Sequence, residues 1–107
     1  MNKKLLDIIR SKAGIKLLFL PHAVQQMMKP DRMIETEEIH KVIDSGNIIE
    51  DYPEDARGQS CLILGYGQKN RPVHIVCAPK EDYLAIITAY IPDQDLWSND
   101  FTTRRKR

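Results

Sequence analysis

At 107 residues, with a hydrophobic share of 42% and a charged share of 29%, the chain has the size and make-up of one soluble domain, 1–107. A formal net charge of +1 makes no strong argument for nucleic-acid binding by the whole molecule, so the distribution of charge matters more. No stretch approaches the roughly 18 apolar residues of a membrane span, and Asp7, Arg10 and Lys12 interrupt the N-terminal apolar run, which fails as a signal-peptide core. The expectation is a cytoplasmic protein with no membrane partner.

Residues 3–12 read as a short amphipathic helix, with Leu5, Ile8 and Ile9 on one face and Gly14 as its stop. Residues 15–20 fit a first strand. Pro21 and His22 open a second helix that runs to about Lys29, with Val24, Met27 and Met28 as its apolar stripe and Pro30-Asp31 as its end. Thr36 is a good N-cap for a third helix reaching about Asp44, whose Ile39, Val42 and Ile43 face the core. Its His40 is expected at the surface.

The second half is strand-rich. Strands are expected over 47–52, 60–66, 72–78 and 83–91, separated by a polar loop and by turns at 67–70 and 79–82. Helices first and strands last make an α+β fold: two or three N-terminal helices on a four- to five-stranded, mainly antiparallel sheet. Cys61 and Cys77 fall inside apolar strand patterns and read as buried thiols acting as small hydrophobes. The acidic run Glu50-Asp51-Tyr52 with Glu54-Asp55 reads as a solvated strand end and loop. Thr102-Thr103-Arg104-Arg105-Lys106-Arg107 forms a basic tail, 102–107, expected to be solvated or to touch phosphates.

In order and spacing, His22-Ala23, Arg32 before Ile34, Glu50-Asp51-Tyr52-Pro53, Ser60-Cys61-Leu62, Arg71-Pro72-Val73-His74-Ile75-Val76, Ile87-Thr88-Ala89-Tyr90 and Trp97 resemble the bacterial domain-of-unknown-function family 4258. The resemblance covers about residues 18–105. Met33 departs from the pattern, where glycine is typical, and so does Met28, where arginine is common. The family looks distantly similar to the RelE-like toxin nucleases. That likeness implies a small toxin-like protein, a ribonuclease of a toxin–antitoxin pair, with RNA and an antitoxin-like protein as partners.

Metal-independent RNA cleavage needs a base for the 2′-hydroxyl, an acid for the leaving 5′-oxygen and a cation for the phosphorane. His22 and His74 are candidates for the acid–base pair, because imidazole titrates near neutral pH. Tyr90 is a candidate proton donor and Arg57 a candidate phosphate holder. Lys69, Arg71, Thr88, Arg104 and Arg105 are candidates for substrate binding. No cofactor and no metal are expected. The alternative is a non-catalytic module that binds a protein partner through its sheet face or edge. Convergence of the basic residues with His22 and His74 on one face favours RNA; their scatter favours the binding module.

Overall fold

A computed structural model gives the structure of residues 3–106. Three helices, α1 (Lys3–Ile15), α2 (Pro21–Met27) and α3 (Thr36–Ser45), accompany five strands. The strands are β1 (Leu17–Phe19), β2 (Asn47–Tyr52), β3 (Ser60–Tyr66), β4 (Pro72–Pro79) and β5 (Leu84–Tyr90). The sheet order is β1-β5-β4-β3-β2. β1 runs parallel to β5, and the other three pairings are antiparallel. The expected α+β class is therefore observed. β2 and β3 begin and end where the sequence places them. α1 runs past Gly14 to Ile15, because the helix has packing partners for Ala13 that outweigh one glycine. Thr36 is the first helical residue rather than the cap; Glu35 holds the cap position and makes no side-chain cap bond. α2 ends at Met27, and β5 starts at Leu84.

One sheet face carries the helices. Ile9 of α1, Ala23 of α2, and Ile39, Val42 and Ile43 of α3 bury against Cys61, Ile63, Ile75, Cys77 and Ile86. Each fully buried aliphatic side chain contributes about 1.5–3 kcal/mol, so this layer is the main source of stability. Arg10 closes the far end of α3: its Nε and Nη2 donate to the Ile43 and Gly46 carbonyls, each at 2.9 Å. That is how a cation satisfies the orphan carbonyls of a helix C-terminus. The two thiols are free, buried and paired across β3 and β4. The Cys61 hydrogen bond and burial push the Cys77 thiol well up, so the cysteines do act as core hydrophobes.

Strand alternation leaves a second face. The register pairs Glu50 with Leu62, Leu62 with Val76, Leu64 with His74, His74 with Tyr90, and Val76 with Thr88. Cross-strand partners share a face, so these residues line the side without helices. Residues 93–106 come back over part of it as a short strap. Trp97 and Arg104 form a backbone bridge, and the Arg105 N–H donates to the Leu96 carbonyl at 2.9 Å. The basic tail is thus tied into the fold through Arg104 and Arg105, and Lys106 is exposed. Arg107 lies outside the described residues.

Two turns with positive φ explain details of the sequence pattern. Met33 has a φ of 44°, in the left-handed region where side chains are strained. A glycine there would be unstrained. The β3–β4 connection carries Lys69 and Asn70 at φ 53° and 59°, and so reverses the chain tightly.

Candidate functional site

The helix-free face holds one fully buried histidine. His74 is 0% exposed. Its Nε2 lies 2.9 Å from the Phe101 carbonyl and its Nδ1 lies 3.2 Å from the Tyr90 hydroxyl. A carbonyl only accepts, so Nε2 carries the proton in the neutral ring. Nδ1 is then the acceptor, and the Tyr90 hydroxyl donates to it. Tyr90 and Trp97 both meet the imidazole edge-on, with ring centroids 5.3 and 4.4 Å away. Burial pushes the imidazole below its ordinary value, with only partial compensation from the Phe101 carbonyl and Glu50. Burial likewise raises Tyr90.

A second layer of charge surrounds this pair. The Arg104 guanidinium sits 4.7 Å from the Trp97 ring centroid, on a ring that also packs against His74. Its Nε and Nη2 donate to the Glu50 carboxylate at 2.9 and 3.1 Å. Tyr52 donates its hydroxyl to the same carboxylate. Burial works to raise Glu50, but hydrogen bonds from Arg104 and Tyr52 outweigh it and hold the carboxyl below its usual range. Burial and Glu50 push Tyr52 up to about 12. Glu50 is therefore not part of a solvated acidic loop: the bulge after Ile48 keeps it facing the sheet. Thr88, next to Val76 on the same face, has a buried Oγ1 with no hydrogen-bond partner among the described residues.

Of the other candidates, His22 is exposed at the start of α2, just after Pro21. Leu20 donates its N–H to the Ile86 carbonyl at 3.0 Å, and α2 packs on β5. The start of α2 therefore stands level with the Thr88 end of β5. Arg57 is in the β2–β3 loop, paired to Asp55 at 3.0 Å. Hydrogen bonds from Arg57 and Ser60 hold the Asp55 carboxyl well below its ordinary value. Lys69 is exposed in the β3–β4 turn. Arg105 is bound to the Gln94 carbonyl and the Asn99 side chain within the strap.

Arg71 is not free to bind a substrate. It holds Glu38 of α3 through two bonds, at 2.8 and 2.6 Å, and donates to the Arg32 carbonyl at 2.8 Å. The Arg71 hydrogen bond outweighs burial and keeps Glu38 below its ordinary value. This pair locks the start of β4 to α3 and to the turn after α2. Gly67 covers it so closely that a Cβ there would stand 2.1 Å from the Glu38 carboxylate.

The structure thus brings together His74, Tyr90 and Arg104, adds Glu50, Tyr52 and Trp97, and leaves His22 exposed on α2 and Arg57, Lys69 and Arg71 elsewhere. The basic residues scatter. Among the described residues no group of three or more His, Cys, Asp or Glu could hold a metal ion, and no helix is long and apolar enough to cross a membrane.

A three-helix, five-stranded α+β domain with a polar cluster sealed on its helix-free face is the class these features define. The chain belongs to the family described as domain of unknown function DUF4258, whose profile matches residues 19–91. His22, Glu50, His74, Thr88 and Tyr90 lie inside the matched span, and the strap lies beyond it. Comparison with curated proteins and with solved structures gives no match.

Proposed function

We propose that the helix-free face is an acid–base site that cleaves single-stranded RNA without a metal, in a protein of RelE-like toxin character. The observation that carries this reading is the sealed His74–Tyr90 pair beside Glu50 and Arg104. A buried polar network on a sheet face is weak as a stability device, since apolar residues of the same shape often serve as well or better. Local rules of packing are broken where function requires it. The unpartnered Thr88 hydroxyl beside the cluster belongs to the same argument.

The chemistry follows from the tautomers. Catalysis needs the other tautomer: once the Phe101 carbonyl leaves Nε2 and the ring proton moves to Nδ1, donated to the Tyr90 oxygen, the His74 Nε2 lone pair takes the proton of a 2′-hydroxyl. The 2′-oxygen attacks the adjacent phosphorus, and the bond from phosphorus to the 5′-oxygen breaks. A water molecule gives the leaving oxygen its proton, and Arg104 balances the phosphorane charge. The products are a 2′,3′-cyclic phosphate and a 5′-hydroxyl. Removal of one general acid or base typically costs about 100- to 10,000-fold in rate. Expression of the wild-type chain alone should slow growth, and His74→Ala should relieve it. Tyr90→Phe, which keeps the ring, serves as the second variant if His74→Ala misfolds. Harmless expression of a well-folded wild-type chain, with no cleavage of RNA by the purified protein, would end this reading.

The second reading is a protein-binding module. The scatter of Arg57, Lys69 and Arg71 favours it, because these residues offer no preformed RNA cradle. β2 is an edge strand, and an extended partner segment could pair with it. Slowed amide exchange along β2 in the presence of an antitoxin-like partner, without RNA cleavage, is the result that would select it.

A further inference from the structure

The strap ends in a turn, residues 98–104, built almost wholly from polar contacts. The Asp100 carboxylate accepts from the Ser98 hydroxyl at 2.7 Å, the Thr102 hydroxyl at 2.7 Å and the Thr102 N–H at 3.2 Å. Those bonds fold the chain so that Phe101 sits at a φ of 64° and presents its carbonyl to His74. A non-glycine residue in this region costs free energy, and such strain collects at sites and switches. Asn99 and Asp100 are exposed, whereas Trp97 at the base of the turn is 3% exposed. The anchor is apolar and deep, and the tip is polar and shallow.

Two contacts of this turn resemble those of a substrate. The Phe101 carbonyl takes the Nε2 proton, the place where a ribose or leaving-group oxygen would stand. The Glu50 carboxylate grips Arg104 with two oxygens, as a phosphate would. While Phe101 is in place it fixes the proton on Nε2, so the outward nitrogen has no lone pair to act as a base. The Arg104 side chain is 61% exposed, and an ion pair this open holds weakly and is reachable from solvent.

We propose that the 98–104 turn is a gate: an RNA phosphate takes Arg104 from Glu50, the turn lifts with its Phe101 carbonyl, and His74 Nε2 is uncovered. This rests on the acid–base reading of the same site. Pro92 stays packed while the tip moves, and Trp97 loses the cover of the Arg104 guanidinium.

Trp97 is the only tryptophan in the chain and stands between His74 and Arg104, so its fluorescence reports the gate directly. The full-length chain is titrated at low salt with a 2′-O-methyl oligoribonucleotide, which binds but has no hydroxyl to attack. In parallel, cleavage of the matching RNA is followed. The expected result is a red shift of Trp97 emission and easier acrylamide quenching on titration. Asp100→Ala, which unties the exposed turn without touching Arg104, should show the open spectrum before RNA is added and cleave faster than wild type. Arg104→Met should lose the response to RNA. Cleavage with Trp97 unmoved, and with Asp100→Ala no faster, would overturn the gate and leave the nuclease reading standing. A Trp97 response without any cleavage would keep an RNA-operated gate and sink the nuclease. No response to the oligonucleotide at any concentration reached, with no cleavage, would remove both.

Discussion

Glu38→Ala should cost this protein about 2–4 kcal/mol of stability, and Arg71→Ala nearly as much. The Glu38 side chain is fully buried and that of Arg71 is 26% exposed. Glu38 accepts from Arg71 twice and from the Gln68 N–H at 2.9 Å, so its loss strands three donors. Breaking a buried pair by removing one partner costs roughly 3–5 kcal/mol. The partial exposure of Arg71 lets water recover part of that, which sets the lower range. For a domain of this size a loss of 1 kcal/mol lowers Tm by about 4–8 °C, so a fall of about 8 °C or more is expected. Urea unfolding followed by circular dichroism should show a lower midpoint at unchanged slope. The double variant should cost much less than the sum of the singles, because the two share one interaction. Single variants each within about 0.5 kcal/mol of wild type, the ordinary range for surface changes, would refute the assignment of Arg71 as a structural staple and return it to the substrate-binding set.

Met33→Gly should stabilise the fold by up to about 1 kcal/mol, since relief of a left-handed φ is worth roughly 1–2 kcal/mol against about 0.5–1 kcal/mol of added chain entropy; a lower urea midpoint would count against it. Stability should also fall as pH drops from 7 toward 5. The folded His74 is held below its ordinary value of 6.5, so the unfolded chain binds the extra proton first. That contribution is intact above 6.5 and is lost as pH falls through the folded value. The wild-type slope in this window should flatten in His74→Leu, and an identical slope would show that another group titrates there. Below about 4.5 the lowered carboxyls of Glu38 and Glu50 add a separate loss. Cys61 and Cys77 should react with a thiol reagent only at the rate of unfolding, being fully buried with the Cys77 thiol raised; rapid labelling of the native chain would contradict the packing.

The parts of the fold that obey local rules could be read from the chain. Alternation placed β2 and β3 to the residue and put Thr88 and Tyr90 on one face with His74's strand alongside. Helix order and turn residues gave the α+β class. What could not be read depends on contacts between distant residues. Glu38 and Arg71 are 33 residues apart, so Arg71 alone reads as a cation free to bind a substrate and Glu38 as one more helix carboxylate. Arg104 and Glu50 are 54 apart, so an acidic run and a basic tail each read as solvated until the strap joins them. The strap is held by one tryptophan and an Asp100-centred turn, without periodicity to announce it. Lone histidines are ambiguous by sequence for the same reason: His22 is exposed and His74 is sealed, and only the register distinguishes them.

Cleavage of single-stranded RNA by the purified full-length chain, with the new ends identified, tests the central claim most directly. The account predicts 2′,3′-cyclic phosphate and 5′-hydroxyl ends. They should form faster with Asp100→Ala and be reduced about 100-fold or more with His74→Ala. Intact RNA after incubation with both the wild-type chain and the well-folded Asp100→Ala variant would contradict it.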